Sequence, residues 1–379
     1  MKQTKKSKKK HLNIKQITAL VLLGVLLILC LINLTAGNSK IKRPKMTFSC
    51  VMNGQFSEEY EQYWEKRFTG SRFLKKINHS VETLLGRRES NKVYKGKKHH
   101  LAEKIETPDQ KAMEKNIEAI KEFDSSYYNI PVYFMLVPDA ANIQSDMLPA
   151  SAVTEDQSEQ FTEIKKMLDD GVNWIDVMEA LREHKDEKIY YCTDEHWTTL
   201  GAYYGYEALA KEMNLDMSQV PKGKFYVVNN DFNGSLSEKS GYEDGYTESI
   251  SIYSAKNVKD NTNLIMTNGD TNKKSATLYD ISRLEKQNKY DLFLGGDCGM
   301  LDIETTVDNS ERLLIVKDSF ANCLVPFLVP HFREIVVIDP EYYGGNMQEI
   351  MQNKKFTNIL FLYSGNSFVT DENIIKVLN

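Results

Sequence analysis

Two kinds of apolar pattern alternate along the chain. Continuous apolar runs, bounded by proline or polar residues, occur at 131–138, 313–316, 335–338 and 359–363. A short run of this kind reads as a strand buried on both faces, as in a parallel sheet. Between the runs the apolar positions take helical spacing. Ala112, Ile117, Ile120 and Phe123 define a helix over 108–126; others are predicted over 157–169, 319–329 (stopped by Pro330) and 347–353. A helix over 198–213 has Thr198 or Thr199 as its N-cap. Asn91–Gly96 reads as a short strand and turn, and Ile189–Tyr191 as a short strand leading into a polar loop. Residues 225–285, rich in Asn, Ser, Gly and Tyr, predict an irregular insertion with short β-like pieces. Buried strands alternating with helices predict an α/β fold on a parallel, doubly wound sheet.

The N-terminal part follows different rules. Ile17 to Thr35 is almost wholly apolar and carries no charge. At about 1.5 Å per residue it nearly spans the roughly 30 Å of a bilayer core. Lysines before it outnumber the basic residues after it, which by the positive-inside rule keeps the N-terminus cytoplasmic. Thr35-Ala36-Gly37 is a weak cleavage site, and Leu29 before Cys30 disfavours a lipoprotein signal. The expected organisation is a basic cytoplasmic tail (1–13), one transmembrane signal anchor (14–35), a polar stalk (36–53) and an extracytoplasmic domain (54–379). Tyr60, Trp64, Phe68, Phe73, Leu74 and Ile77 give that domain a helical opening within 56–85.

Charge sharpens this division. The first 45 residues hold eleven Lys/Arg and no acidic residue, so the remainder carries −16 of a chain whose net charge is −5. A body this acidic repels phosphate backbones, which excludes nucleic acid as its partner. Cys50, Cys192, Cys298 and Cys323 permit two disulfides in an exported body, but their spacing specifies no framework. No CxxC or HxxxH pair suggests a zinc site, and no metal or cofactor is expected. His99-His100 lies in a basic loop, and Tyr203, Tyr204 and Tyr206 read as helix packing.

Two segments carry candidate chemistry. In Asp194-Glu195-His196 an extended backbone places residues i and i+2 on one side, so Asp194 can orient the His196 ring while Glu195 faces away. The alternative is a polar turn capping the next helix. Lys317-Asp318-Ser319 sits where a buried strand gives way to a helix, the place where ligands collect in open α/β sheets. There Ser319 is either a nucleophile beside helix N–H groups or, with Asp318, a cap. Together Ser319, His196 and Asp194 contain the parts of an acyl-transfer triad. Asn366 and the Asn233-Gly234-Ser235 loop can add an oxyanion or substrate contact, or can be plain turns.

Thr193-Asp194-Glu195-His196-Trp197-Thr198-Thr199-Leu200-Gly201-Ala202-Tyr203 resembles the signature of the DHHW family of Gram-positive bacteria, itself related to the AlgX/AlgJ-type polysaccharide O-acetylation proteins. Lys317–Asn322, Ile338–Tyr343, Phe232–Leu236 and Asn91–Tyr94 resemble further family segments, so the likeness covers roughly residues 54–379. Departures are Glu195 in place of a histidine, Lys317 where SGNH hydrolases usually carry glycine, and Glu341 where a basic residue is expected. The resemblance implies an SGNH-hydrolase-like (flavodoxin-like) parallel sheet with rearranged block order. It implies Ser319, His196 and Asp194 as catalytic residues, with Asn322 and Trp197 joining Asn366 and Ser235 as oxyanion or substrate candidates. It further implies serine-dependent acetyl transfer to, or removal from, cell-surface polysaccharide, beside a membrane-bound O-acyltransferase as acetyl donor. The competing expectation is a non-catalytic glycan-binding or scaffold subunit of such a complex.

Overall fold

The computed structural model describes Gly24 and residues 88–168, 171–242, 244–254 and 263–378. The signal anchor expected over 14–35, Gly24 apart, the stalk expected over 36–53 and the helix expected within 56–85 lie outside the described residues. Among the described residues no helix is long and apolar enough to cross a membrane. The chain divides into two compact units, Met1–Val81 and Glu82–Asn379, and the second is described here.

Its first elements are β1 (Glu89–Ser90), β2 (Val93–Lys95) and β3 (Leu101–Glu103), a small antiparallel sheet where the sequence predicts a strand and turn. Asn91 and Lys92 turn the chain between β1 and β2, both at positive φ. Asn tolerates that conformation better than most residues.

The apolar runs then build one large sheet. Its strands are β4 (Val132–Val137), β5 (Asn173–Ile175), β8 (Leu264–Asn268), β9 (Lys274–Ser275), β10 (Met300–Thr305), β11 (Arg312–Lys317), β12 (Glu334–Ile338) and β13 (Asn358–Ser364). They lie in the order β5-β4-β13-β11-β12-β10-β8-β9. The pairings from β5 through β12 are parallel. Those joining β10 to β12, β8 to β10 and β9 to β8 are antiparallel. The fold is thus α/β with a parallel-rich sheet, but the expected purely parallel sheet is corrected at one edge. There β10 buries Leu301, Ile303 and Thr305 on alternate positions while Glu304 is exposed. One covered face suffices for an antiparallel pair. The segment expected to be irregular supplies β8 and a separate antiparallel pair, β6 (Phe225–Phe232) with β7 (Glu248–Tyr253).

The three longest helices among the described residues cover both faces. They are α1 (Gln110–Ser126), α2 (Gln157–Leu168) and α3 (Thr199–Glu212), with Asp109 and Thr198 as side-chain caps of α1 and α3. On one face α1 packs Phe123 against Phe361, and Phe134 meets Phe361 and Phe368. The next residue on β4, Met135, faces the opposite side and meets Gly205 of α3. The helix expected over 319–329 is broken into a 3₁₀ turn, Ser319–Cys323, and a short helix, Val325–Leu328. Pro326 sits in the first turn of the second piece, where its missing N–H costs nothing, and there it starts a new helix.

Candidate active site

Ser319 lies two residues past the end of β11, with Asp318 between, at the carboxyl end of the sheet's parallel strands. The chain leaves β11 for β12 on one side and returns as β13 on the other, so this end is a crevice between diverging connections. Asp318 shapes the turn. Its Oδ1 accepts from Phe320 N (3.0 Å), its Oδ2 from Ser364 N (2.8 Å), and its own N–H donates to Leu362 O (3.2 Å). The capping reading therefore holds for Asp318, whereas Ser319 Oγ is bonded instead to His196 Nε2 at 2.8 Å.

The histidine comes from a tight loop closed by the Tyr190–Trp197 bridge. Asp194 Oδ1 accepts from His196 N (3.1 Å) and lies 2.6 Å from His196 Nδ1. Its Oδ2 accepts from Ser235 N at 3.0 Å. The Asp–His–Ser chain anticipated from the sequence is thus continuous in space, across 123 residues between His196 and Ser319. Asp194 and His196 are buried. Burial opposes charging the imidazole, but the carboxylates of Asp194 and Glu195 outweigh it and lift its pKa to about 9. Burial also works against the Asp194 carboxylate; the His196 charge and three hydrogen bonds hold it below the usual range.

Four residues expected elsewhere are placed differently. Glu195 does not face away: its Oε1 is 3.9 Å from His196 Nδ1 and its Oε2 accepts from Ser235 Oγ, while burial and Asp194 push its carboxyl up. Ser235 is therefore a support of Asp194 and Glu195, not an oxyanion donor. Trp197 is wholly buried and donates from Nε1 to Phe320 O (2.9 Å), fastening the histidine loop to the serine turn, so it offers no face to a substrate. Asn366 donates to Lys104 O (3.0 Å) and accepts from Glu106 N (2.9 Å), which commits its amide to the segment after β3. Its backbone N–H goes to Asp139, whose buried carboxyl is raised to about 7. Asn322 is buried beside the turn, its Oδ1 without a partner.

Two further supports, Tyr290 and Glu248, had no readable signal, and a third, Gly234, lies in the loop that the sequence offered as an oxyanion or substrate contact. Tyr290 stacks on the His196 ring at 3.8 Å between centroids and 9° between planes, and Phe320 lies against the same ring. Glu248, buried on β7, accepts from the N–H groups of Cys192 and Thr193 and from Thr193 Oγ1 (2.9, 2.9 and 2.8 Å). That carboxylate fixes the backbone just ahead of Asp194. Gly234 donates to Thr193 Oγ1 (3.0 Å), and its Cα lies so close to Asp194 that a Cβ there would meet Oδ2 at 2.6 Å. The remaining sequence candidates are structural. His99 pairs with Asp244 and stacks on Tyr246, and Tyr203, Tyr204 and Tyr206 are core. Cys192, Cys298 and Cys323 are free thiols.

Ser319 opens on a cleft of about 520 Å³, counting its mouth, lined also by Asp297, Lys317, Asp339, Glu341 and Tyr342. A hydroxyl bonded to an imidazole that is itself bonded to a carboxylate can be deprotonated as it attacks a carbonyl. Phe320 and Ala321 N–H are spent on Asp318, which leaves the Ser319 amide, at the head of the turn, as a candidate oxyanion donor.

A family model described as DHHW protein matches residues 117–338. No curated protein matches the chain. Among solved structures the chain is similar to a DHHW family protein from Eubacterium siraeum: 24% identity, 76% of this chain and 96% of that one, TM-score 0.62. It is similar to Bacillus cereus PatB1, with 23% identity over 75% of this chain and 99% of that one at TM-score 0.61. PatB1 is also known with a sulfonyl adduct. Likeness to the O-acetyltransferase domain of Pseudomonas putida AlgJ is weaker: 14% identity, 76% and 98% covered, TM-score 0.47.

Proposed function

The chain belongs to the DHHW family, and from that premise we propose that it is a serine-dependent O-acetyltransferase of cell-surface polysaccharide, anchored by its N-terminal segment and working outside the cytoplasm. The observation that carries this reading is the unbroken Asp194–His196–Ser319 hydrogen-bond chain opening on a cleft. The parallel-rich sheet with Ser319 just past the carboxyl end of an inner strand supports this reading.

In the proposed reaction His196 takes the Ser319 proton as Oγ attacks the acetyl carbonyl of a donor, which a membrane-bound O-acyltransferase supplies. The Ser319 amide donates to the oxyanion, and the donor leaves with the proton from His196. A sugar hydroxyl then gives its proton to His196 and takes the acetyl group from the acyl-enzyme. No step draws on a metal or cofactor.

The test is covalent. Sulfonyl reagents add to activated hydroxyls, and a related fold carries such an adduct. Phenylmethylsulfonyl fluoride is expected to add one sulfonyl group to Ser319, found by intact mass and peptide mapping, and an activated acetyl ester to leave a transient acetyl there. A protein that stays unlabelled, or is labelled elsewhere, belongs to the scaffold reading.

The pH dependence has a definite sign. His196 must be neutral to act as base, and its carboxylate neighbours favour the charged form. The rate of Ser319 acetylation is therefore expected to rise with pH, with its limb well above the ordinary imidazole value of about 6.5. Glu195→Gln removes one of the raising charges, so the limb moves to lower pH and activity at neutral pH increases. A limb that stays in place in Glu195→Gln would show that this carboxyl is uncharged when His196 titrates.

A further inference from the structure

The cleft in front of Ser319 is lined by Asp297, Asp318, Asp339, Glu341 and Asp371, with a single lysine. That lysine, Lys317, does not balance them, because its Nζ lies 2.6 Å from Asp339 Oδ2 and both side chains are buried. Burial raises the carboxyls of Asp339, Glu341 and Asp371, and Asp339 and Asp297 raise Glu341 further. This is a wall of crowded negative charge that a bound cation would relieve.

Two observations independent of the acidic groups point to a ligand. Tyr363 lines the same cleft, is 2% exposed, and its hydroxyl has no hydrogen-bond partner. Burial and the charges of Asp371, Asp339 and Asp318 together raise its pKa, which puts the hydroxyl among these carboxylates. A buried phenol left unpaired there has its hydrogen-bonding capacity in reserve. At the rim, Tyr342 is 47% exposed with its hydroxyl 3.4 Å from Asp297 Oδ2, an aromatic face of the kind that packs against a sugar ring. The geometry does not suit a metal ion. Among the described residues the groups of three donors that converge within 4.8 Å are Asp194–Glu195–His196 and Asp302–Glu304–Glu334, neither of which is this wall.

We propose that the acetyl acceptor is a glycan carrying free amino groups, an N-unsubstituted hexosamine chain that rests on Tyr342 with its ammonium against Asp297 and Glu341, and that uronate-bearing chains are rejected. This rests on the acyl-transfer reading. The carbonyl–Oγ bond of the acyl-enzyme breaks as the bond to a sugar hydroxyl oxygen forms; that hydroxyl's proton passes to His196 and on to Ser319 Oγ. The ammonium keeps its own proton throughout. A protonated amine is no nucleophile, so the acidic wall directs the acetyl group to oxygen rather than nitrogen.

The experiment uses the full chain in neutral detergent, below the pKa of the sugar amine. Calorimetry on the wild type without donor and on Ser319→Ala compares a glucosamine tetramer, its N-acetylated counterpart and tetragalacturonate. The glucosamine tetramer is expected to bind at least about tenfold tighter than either, with affinity falling as salt rises. Glu341→Gln and Asp297→Asn are each expected to weaken it about fivefold, the size of one exposed ion pair. Equal binding of the N-acetylated or uronate tetramer, or no loss in either variant, overturns the proposal. Sulfonyl labelling of Ser319 in the same preparation separates the two readings. A labelled serine without ammonium preference leaves acyl transfer standing and removes this acceptor class. Preference without labelling keeps the cationic glycan site and removes acyl transfer.

Discussion

Ser319→Ala is expected to lower acetyl transfer from an activated ester by about 10³-fold or more while the domain stays folded. The change removes the proposed nucleophile, so on that reading the covalent route is lost and only binding and oxyanion stabilisation remain. Oγ is bonded to His196, and its deletion leaves the Asp318 bonds that shape the turn untouched. The melting temperature should therefore move little. His196→Ala is expected to cost a similar factor. The double variant should fall no further than either single one, because residues of one triad act as a unit. The measurement is steady-state ester turnover, with circular dichroism to verify folding. Turnover in Ser319→Ala equal to wild type would reduce the serine to a turn residue and bring the scaffold reading forward.

The second large effect is expected at a residue that touches no substrate. Gly234→Ala should lower the acylation rate by about 10²-fold, because a displacement near 1 Å in a catalytic group costs that much. Gly234 has an ordinary negative φ, so backbone freedom is not the reason for glycine. The reason is space: an added Cβ would meet Asp194 Oδ2 at 2.6 Å and its Cα at 2.7 Å. Either Asp194 moves, losing its grip on His196 Nδ1, or the loop moves, losing the Ser235 N–H to Asp194. Overpacking of this kind costs about 1–3 kcal/mol of stability, which thermal melting would register as a modest loss. Activity should fall far more than stability. A variant with wild-type rates would mean that the loop yields freely and that Asp194 is held well enough by His196 alone.

The parts of the fold readable in advance were those governed by local rules. β4, β11, β12 and β13 are buried on both faces, so each is a continuous apolar run, which its shortness and its bounding proline or polar residues mark as a strand. β8 and β10 have one covered face and carry Thr, Asn, Asp and Glu among their apolar residues, which is why residues 264–268 looked irregular. The Asp194–His196–Ser319 hydrogen-bond chain was legible from a strand end for Ser319 and from the short spacing of Asp194 and His196, but that pair meets in a tight bend in which Asp194 Oδ1 accepts from His196 N, not on the extended backbone expected, and so Glu195 stays beside the ring. What supports it was legible only in part: the Asn233-Gly234-Ser235 loop reads as a site loop but its grip on Asp194 does not, and Glu248 and Tyr290 act across 56 and 94 positions of sequence with no local signal. From the sequence Asn366, just past the last buried strand, reads as an oxyanion donor, and the resemblance adds Trp197 as an oxyanion or substrate candidate. Both are bonded inward instead, since a buried indole or amide must find partners.

The position of β13 bears on how the protein comes to be folded. It is the last strand of the large sheet in sequence order, yet it lies in the middle, between β4 and β11. A ribosome that has released β4 and β11 has made two apolar strands whose facing edges have no partner until residues 358–364 emerge. The sheet therefore closes after synthesis of that segment, and an elongating chain holds two exposed edges until then, a state prone to wrong pairing. Asp318 reaches Ser364 N at the tip of that same strand, so the serine turn is finished last as well. The turn that carries Ser319 thus takes its final geometry only as the sheet is sealed, and a chain interrupted before β13 is expected to lack that geometry and to expose two strand edges.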